Sequence, residues 1–299
     1  MPRPTTVPRP TTIAAHVQHQ NPGRRRVAVG LATAAMVGAG AVPTAAQARD
    51  QQGTSVSGSM SHPERDSAGA GALVHGGLMA TTSDQAADAT VRTRGMDVSG
   101  WQGNVDWASA WRNGARFAYV KATESTSYRN PYFAQQYNGS YQVGMTHGAY
   151  HFALPDRSSG TAQARFFVSN GGRWSADGRT LPPALDIEYN PYGSMCYGLT
   201  PAAMVSWIRA FSNEVWVRAG RPPAIYTNYD WWSRCTGNST AFRSTNPLWI
   251  ARWSSSPGVL PGGWMRWRIW QTASAGTFPG DQNGFEGSTA ALRLFALNR

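Results

Sequence analysis

The sequence predicts an α/β fold, a single irregular (β/α) barrel of the TIM-barrel kind with its active site at the C-terminal ends of the strands. Two observations carry that expectation. Short apolar or β-branched runs alternate with longer amphipathic stretches from about residue 93 onward. Polar residues recur where those runs end, which is where a barrel gathers its chemistry. About eight strands in roughly 205 residues make a barrel smaller than the usual ~250. An open, doubly wound sheet is the alternative, because connection lengths alone leave it standing.

In chain order, the candidate strands are 95–99, 117–122, 146–152, 184–189, 224–228, 248–253 and 268–272, with a weaker eighth just before Asp281. Helices fit between them. The clearest is Pro201–Ala219, where Thr200 can cap the first turn and Gly220 stops the run before Pro222 and Pro223. Others are expected at 131–143, ended by Gly144, at 160–170, and at 288–297, where the chain closes.

Ahead of this region lie two segments of different composition. Residues 1–48 contain no acid, and Arg24-Arg25-Arg26 precedes an apolar, small-residue run from Val27 to Val42. Ala46-Gln47-Ala48 follows as a small-x-small cleavage pattern, so 1–48 reads as an export signal of the twin-arginine or the general secretory type. The run is too short and too rich in Gly and Ala to span a membrane, and no later segment qualifies. Residues 49–92 are rich in Gln, Ser, Gly, Ala and Thr and lack aromatics, as in a flexible linker or pro-segment. Residues 93–299 are the expected catalytic domain, in a secreted, extracellular and monomeric protein.

The chain carries 27 basic and 16 acidic residues, +11 by formal count, and every basic residue except Lys121 is arginine. From Val91 onward the chain keeps 20 basic against 11 acidic residues. This balance favours anionic partners without choosing among nucleic acid, membrane surface and acidic polymer. Cys196 and Cys235 are the only cysteines, and in an exported chain pairing is their natural outcome.

The most informative stretch is Leu181–Tyr189, a buried-strand pattern that delivers Asp186 and Glu188 just before a turn at Asn190-Pro191. Residues i and i+2 of a strand share a face, so the two acids point the same way, with Ile187 on the other side. Repulsion and burial together keep a proton on one of them, as an acid catalyst requires. Other strand ends offer Asp97, then Lys121 with Glu124, Tyr150 with His151, Tyr226, Trp253, Trp270 with Gln271, and Asp281. There is no nucleophile elbow, phosphate loop or zinc spacing, so acids and aromatics alone have to do the work. Glycoside cleavage needs two carboxyl groups and little else, and aromatic faces suit the apolar faces of sugar rings. Substrate contact is expected from Tyr150, Lys121, Glu124, Tyr226, Trp253 and Trp270. Lys121 could instead pair with a framework acid, and the aromatics could be core. His147 and His151 share a strand face but have no third ligand, so neither a metal nor a cofactor is expected.

Met96-Asp97-Val98-Ser99 with Trp101-Gln102-Gly103, Tyr119–Glu124, Gly148–Phe152, Leu185–Glu188 and Trp270-Gln271 together resemble glycoside hydrolase family 25, the Chalaropsis-type muramidases. The similarity runs from about Arg94 to the C-terminus. It is strongest to streptomycete members, which share the 190–199 insertion and a second cysteine like Cys235. The resemblance implies a lysozyme that hydrolyses the β-1,4 bond between N-acetylmuramic acid and N-acetylglucosamine in peptidoglycan, with no nucleic-acid partner. It implies Glu188 as proton donor, Asp186 as its assisting carboxylate, Asp97 as an orienting acid, and Asp281 as the fourth acid. Where family members carry Asn, this chain has Glu286. The resemblance further implies retention of anomeric configuration, for which participation of the substrate's 2-acetamido group is one route. A wall-binding lectin without turnover and a chitinase-like enzyme are the alternatives.

Overall fold

A computed structural model of the chain describes residues 92–299. The export signal expected at 1–48 and nearly all of the linker expected at 49–92 lie outside the described residues. The strands are β1 (Arg92–Val98), β2 (Phe117–Glu124), β3 (Tyr128–Arg129), β4 (Thr146–Phe152), β5 (Ala184–Asp186), β6 (Ala224–Thr227), β7 (Leu248–Ala251), β8 (Ile269–Ala273) and β9 (Asp281–Glu286). The helices are α1 (Trp107–Arg112), α2 (Phe133–Gln142), α3 (Gly160–Ser169), α4 (Pro201–Ala219), α5 (Tyr229–Thr236) and α6 (Thr289–Ala296).

The sheet runs β1-β9-β8-β7-β6-β5-β4-β2-β3 and closes through a β1–β2 pairing, which makes a barrel and excludes the open sheet. Seven of the barrel strands are parallel. The eighth, β9, is antiparallel to both β1 and β8, and β3 is a short hairpin partner of β2 outside the closed ring.

The eighth strand therefore begins at Asp281 instead of ending before it. The Ser- and Gly-rich stretch ahead of it forms the turn, and the alternation of Asp281, Asn283 and Phe285 along one face supplies the strand. Reversed direction puts the first residue of β9, not its last, at the rim where the parallel strands end. Gly280 makes the approach possible. Its φ is +75°, and a Cβ there would collide with the Asp97 carbonyl oxygen.

Helix α4 follows its sequence signals residue for residue. Thr200 accepts a hydrogen bond from the Ala203 amide, Pro201 opens the first turn, and Gly220 closes the helix in the left-handed region at φ 79°. Helices α1 and α5 were not anticipated. Each is short and aromatic, so periodicity over one or two turns is weak, and their signals are the caps Asp106 and Asn228.

Alternation along the strands separates two apolar layers. Phe117, Tyr119, Tyr150, Tyr226, Trp249 and Ile269 fill the barrel interior, and Leu292 and Phe295 of α6 close it from the N-terminal end. Leu185, Ile187, Ile225 and Ile250 face the other way, onto Phe167 of α3 and Ile208 and Phe211 of α4. Burial of each large side chain contributes about 1.5–3 kcal/mol. The plug at one end leaves the other as the only mouth.

Candidate active site

At that mouth four carboxyl groups converge, from β1, β5 and the residues just after it, and β9. Asp97 and Asp281 are direct partners across the β1–β9 pair. Gln271 on β8 bridges them, its Nε2 donating to Asp97 Oδ2 at 3.0 Å and to Asp281 Oδ2 at 2.8 Å. Asn283 Nδ2 donates to the same Asp97 oxygen at 2.6 Å, while the Asn283 carbonyl oxygen accepts from Trp249 Nε1 at 2.8 Å. The Gln271 carbonyl oxygen in turn accepts from the Tyr226 hydroxyl at 3.0 Å and Trp253 Nε1 at 2.9 Å. One amide thus ties two acids to two aromatic side chains.

Burial raises the Asp97 carboxyl to about 6, against the pull of the Gln271 and Asn283 donors, which favour its charge. Asp281 receives a single donor. Burial, the Asp97 charge and the Glu188 charge push it up to about 9. These directions favour a single proton shared by the pair near neutral pH, with Asp281 its stronger holder.

The other two acids stand on a different footing. Strand β5 ends at Asp186, but the Ile187 amide still bonds to the Tyr226 carbonyl at 3.0 Å. Extended geometry therefore carries on, Ile187 packs outward, and Asp186 and Glu188 share the inner side. Both are buried, at 3% and 2% exposure. Asp186 is raised well above the ordinary carboxylate range by burial, then by the Glu188 charge, with Lys121 pulling the other way. Asp186 Oδ1 has no hydrogen-bond partner among the described residues. A buried carboxylate oxygen left open costs stability, and such a cost is found where the oxygen has something else to meet.

Lys121 and Glu124 form a buried ion pair at 2.8 Å, and Tyr192 donates its hydroxyl to the other Glu124 oxygen at 2.7 Å. Tyr150 and Tyr226 both meet Trp249 edge-on, at 6.2 and 5.0 Å between ring centres. Trp253 is half-buried beside Gln271. Trp270 is a correction. It lies on the opposite face of β8 from Gln271, 1% exposed, with Nε1 donating to the Arg252 carbonyl and the Arg92 guanidinium 4.7 Å above its ring. Strand alternation allows only one of two neighbours to face the mouth, and that neighbour is Gln271. Gln271 stands at the strand end the sequence offered, without a role assigned to it; Asn283 and Trp249 were missed, and the signal for Asn283 was its place as the i, i+2 partner of Asp281.

His147 and His151 face the helices. His147 Nδ1 meets the Tyr137 carbonyl at 2.8 Å, and His151 lies between Thr123 and Gln163. Behind the site, Cys196 and Cys235 form a disulfide, Cα atoms 5.2 Å apart, which ties the 190–199 loop to α5. No helix among the described residues is long and apolar enough to cross a membrane.

Comparison with known proteins agrees with this arrangement. The chain is 45% identical over 214 residues to Lysozyme M1 of Streptomyces globisporus, covering 70% of this chain and 73% of that protein. It is 47% identical over 207 residues to the N,O-diacetylmuramidase of Chalaropsis, covering 68% and 98%. The solved muramidase of Acremonium alcalophilum superposes with a TM-score of 0.68 at 52% identity, over 70% of this chain and all of that one. Residues 96–281 match the model of glycosyl hydrolases family 25. A closed barrel with a ring of acids at its mouth and that match lead to one conclusion: the chain belongs to glycosyl hydrolases family 25 and is a glycoside hydrolase.

Proposed function

We propose that the protein is an extracellular muramidase that cleaves the β-1,4 bond between N-acetylmuramic acid and N-acetylglucosamine in bacterial peptidoglycan, with Glu188 as proton donor. The observation that carries this reading is the Asp186–Glu188 pair: two buried carboxyls on one side of an extended segment, one of them raised and with an open oxygen. Glu188 protonates the bridging oxygen as the bond to the anomeric carbon breaks. Positive charge grows on that carbon and the ring oxygen. Asp186, beside it, stabilises this charge or orients the substrate's acetamido oxygen to attack the same carbon. Glu188, now a carboxylate, then takes a proton from the water that releases the sugar with its configuration retained.

Asp97, held with Asp281 by Gln271, sets the negative potential of the opposite wall. Tyr226 and Trp253 contact substrate from positions fixed through Gln271, and Tyr150, Lys121 and Glu124 shape the side nearest Asp186. The names of the relatives support a muramic-acid substrate. The Arg24–Arg26 segment with Ala46-Gln47-Ala48 supports export, as does a disulfide, which persists in oxidising compartments. The protein acts as a monomer.

Mass spectrometry of products from purified walls tests the reading. New reducing ends on muramic acid are expected, with soluble chitin oligomers left intact. Cleavage of the chitin oligomers would point to the chitinase-like alternative, and binding to walls without products to the lectin.

A further inference from the structure

The four acids stand at one end of this barrel and several arginines gather at the other, while Arg129 on β3 and Arg252 after β7 lie toward the acids. Asp97, Asp186, Glu188 and Asp281 stand at the mouth, whereas arginines recur where strands begin. The amide of Arg116, just before β2, bonds to the Arg94 carbonyl, and the Thr146 amide that opens β4 bonds to the Arg116 carbonyl. Beside β4, the His147 amide bonds to the Arg179 carbonyl, and Arg268 immediately precedes β8. Arg293 projects from α6, the helix that plugs this end, and is exposed.

None of these five is in an ion pair among the described residues, although Glu286 acts on Arg268 and the Arg116 and Arg179 guanidinium groups donate part of their fork to backbone carbonyls. Carboxylates toward the same end are already engaged: Glu214 with Arg165 and Arg218, Glu286 with Arg266, and Asp177 within its own turn. Beneath the surface Arg221 is a further cation, 3% exposed, bonded to the Ala296 carbonyl at 3.2 Å and set against the Trp174 and Phe295 rings. Burial lowers it to about 10, and no carboxylate acts on it.

Arginines grouped this way favour an anion at the closed end. We propose that the plugged end of the barrel is a second, non-catalytic surface that docks a phosphodiester polymer of the cell wall, leaving the acidic mouth turned outward to the glycan strands. Guanidinium groups suit phosphate oxygens because their planar donor fork can engage two at once. The mouth presents the acids and the arginines gather at the plugged end, so docking and cleavage use different faces. The proposal rests on the muramidase reading only for its setting in the wall, and polymer binding can be measured without any hydrolysis.

The experiment compares two triple variants of equal charge, Arg94→Gln/Arg268→Gln/Arg293→Gln at the plugged end and Arg129→Gln/Arg157→Gln/Arg209→Gln elsewhere. Each is sedimented with intact walls and with walls stripped of phosphodiester polymer by cold hydrofluoric acid. The first triple is expected to bind intact walls about tenfold more weakly at low salt, with that gap closing as added salt shortens the Debye length below ~8 Å. The second should stay within about twofold of the parent, all three should bind stripped walls alike, and cleavage of short soluble fragments should not change. Melting curves establish that both triples fold. Equal weakening by both triples would reduce the effect to net charge and overturn the proposal. So would an unaltered first triple, or one whose loss persists on stripped walls or appears instead on anionic lipid vesicles.

Discussion

The two halves of the acidic mouth are held by different means. Asp97 and Asp281 are fixed by side chains: Gln271 spans both, Asn283 reinforces one, and Trp249, Tyr226 and Trp253 hold those amides in turn. Asp186 and Glu188 are fixed by backbone, through the β5 ladder and the Ile187 amide, and from behind by the disulfide-closed loop. The first half engages one oxygen of each acid with its own amides. The second leaves Asp186 Oδ1 buried with no hydrogen-bond partner among the described residues, which supports the proposal that this half meets substrate.

If so, the largest loss comes from Glu188. Glu188→Gln keeps the shape but cannot donate a proton, and hydrolysis of purified walls should fall by ~10²-fold or more with an unchanged melting temperature. Activity within a few-fold of the parent would transfer the acid role to another carboxyl and dissolve the distinction between the halves. Asp186→Asn is next. It removes the carboxyl that shares the pair's proton with Glu188, so the pH–rate profile of the coupled pair should move while turnover drops by about tenfold or more. An unmoved profile would leave Asp186 with a charge-stabilising role only.

The hydrogen-bonded half should respond in stability as well as rate. Gln271→Leu strips an acceptor from Tyr226 and Trp253 and a donor from both acids, and leaving such groups buried and unmatched costs about 2–5 kcal/mol in total. Turnover should fall by only about tenfold, because the reacting pair is not touched. Denaturant unfolding with parallel rate measurements would separate the two effects. A loss of rate as deep as that of Glu188→Gln, with stability intact, would place Gln271 among the reacting groups.

The backbone-held half has its own stability test. Closing a 39-residue separation with a disulfide contributes about 4 kcal/mol on the loop-entropy account. Replacing Cys196 and Cys235 with serine together should therefore lower the melting temperature but leave the pH–rate profile in place. A displaced profile would mean that the loop sets the geometry of Glu188 as well as the stability of the domain.

Much of the second half was legible in the sequence and little of the first, for a physical reason. Asp186 and Glu188 lie two apart at the end of an apolar run, so local strand geometry alone puts them together. Helix α4 was legible for the same local reason, its cap and stop residues lying next to it. The Gln271–Asp97 contact joins residues 174 apart and exists only because β9 turns back and pairs with β1. No local pattern announces that reversal, and the eighth strand was accordingly expected on the wrong side of Asp281. Trp270 failed for a subtler reason. Alternation says that Trp270 and Gln271 face opposite ways, but not which of them faces in. An aromatic residue looks like the better sugar ligand, yet here it fills the outer layer and the amide holds the mouth.

The smallest effect, and the one most specific to the hydrogen-bonded half, is the dependence of stability on pH. Asp97 is raised to about 6 and Asp281 to about 9, against about 3.9 in an unfolded chain. A carboxyl raised by folding binds its proton more tightly in the native state, so its contribution is complete below the unfolded value and is lost as pH rises through the folded one. His147 and His151 are lowered by burial and act in the opposite sense, losing stability as pH falls below the ordinary value of 6.5. Below that pH the two trends oppose each other. From about one unit above 6.5 up to about 9 the histidines are essentially neutral in both states, and the raised acids govern the slope. The melting temperature should therefore decline across this window. Asp281→Asn should flatten the decline, leaving only the part due to Asp186, and Asp97→Asn should change it less, because Asp97 has already ionised at its lower edge. An unchanged slope in Asp281→Asn would mean that Asp281 is ionised at neutral pH, and that the Gln271 bridge joins two negative charges instead of one charge and one proton.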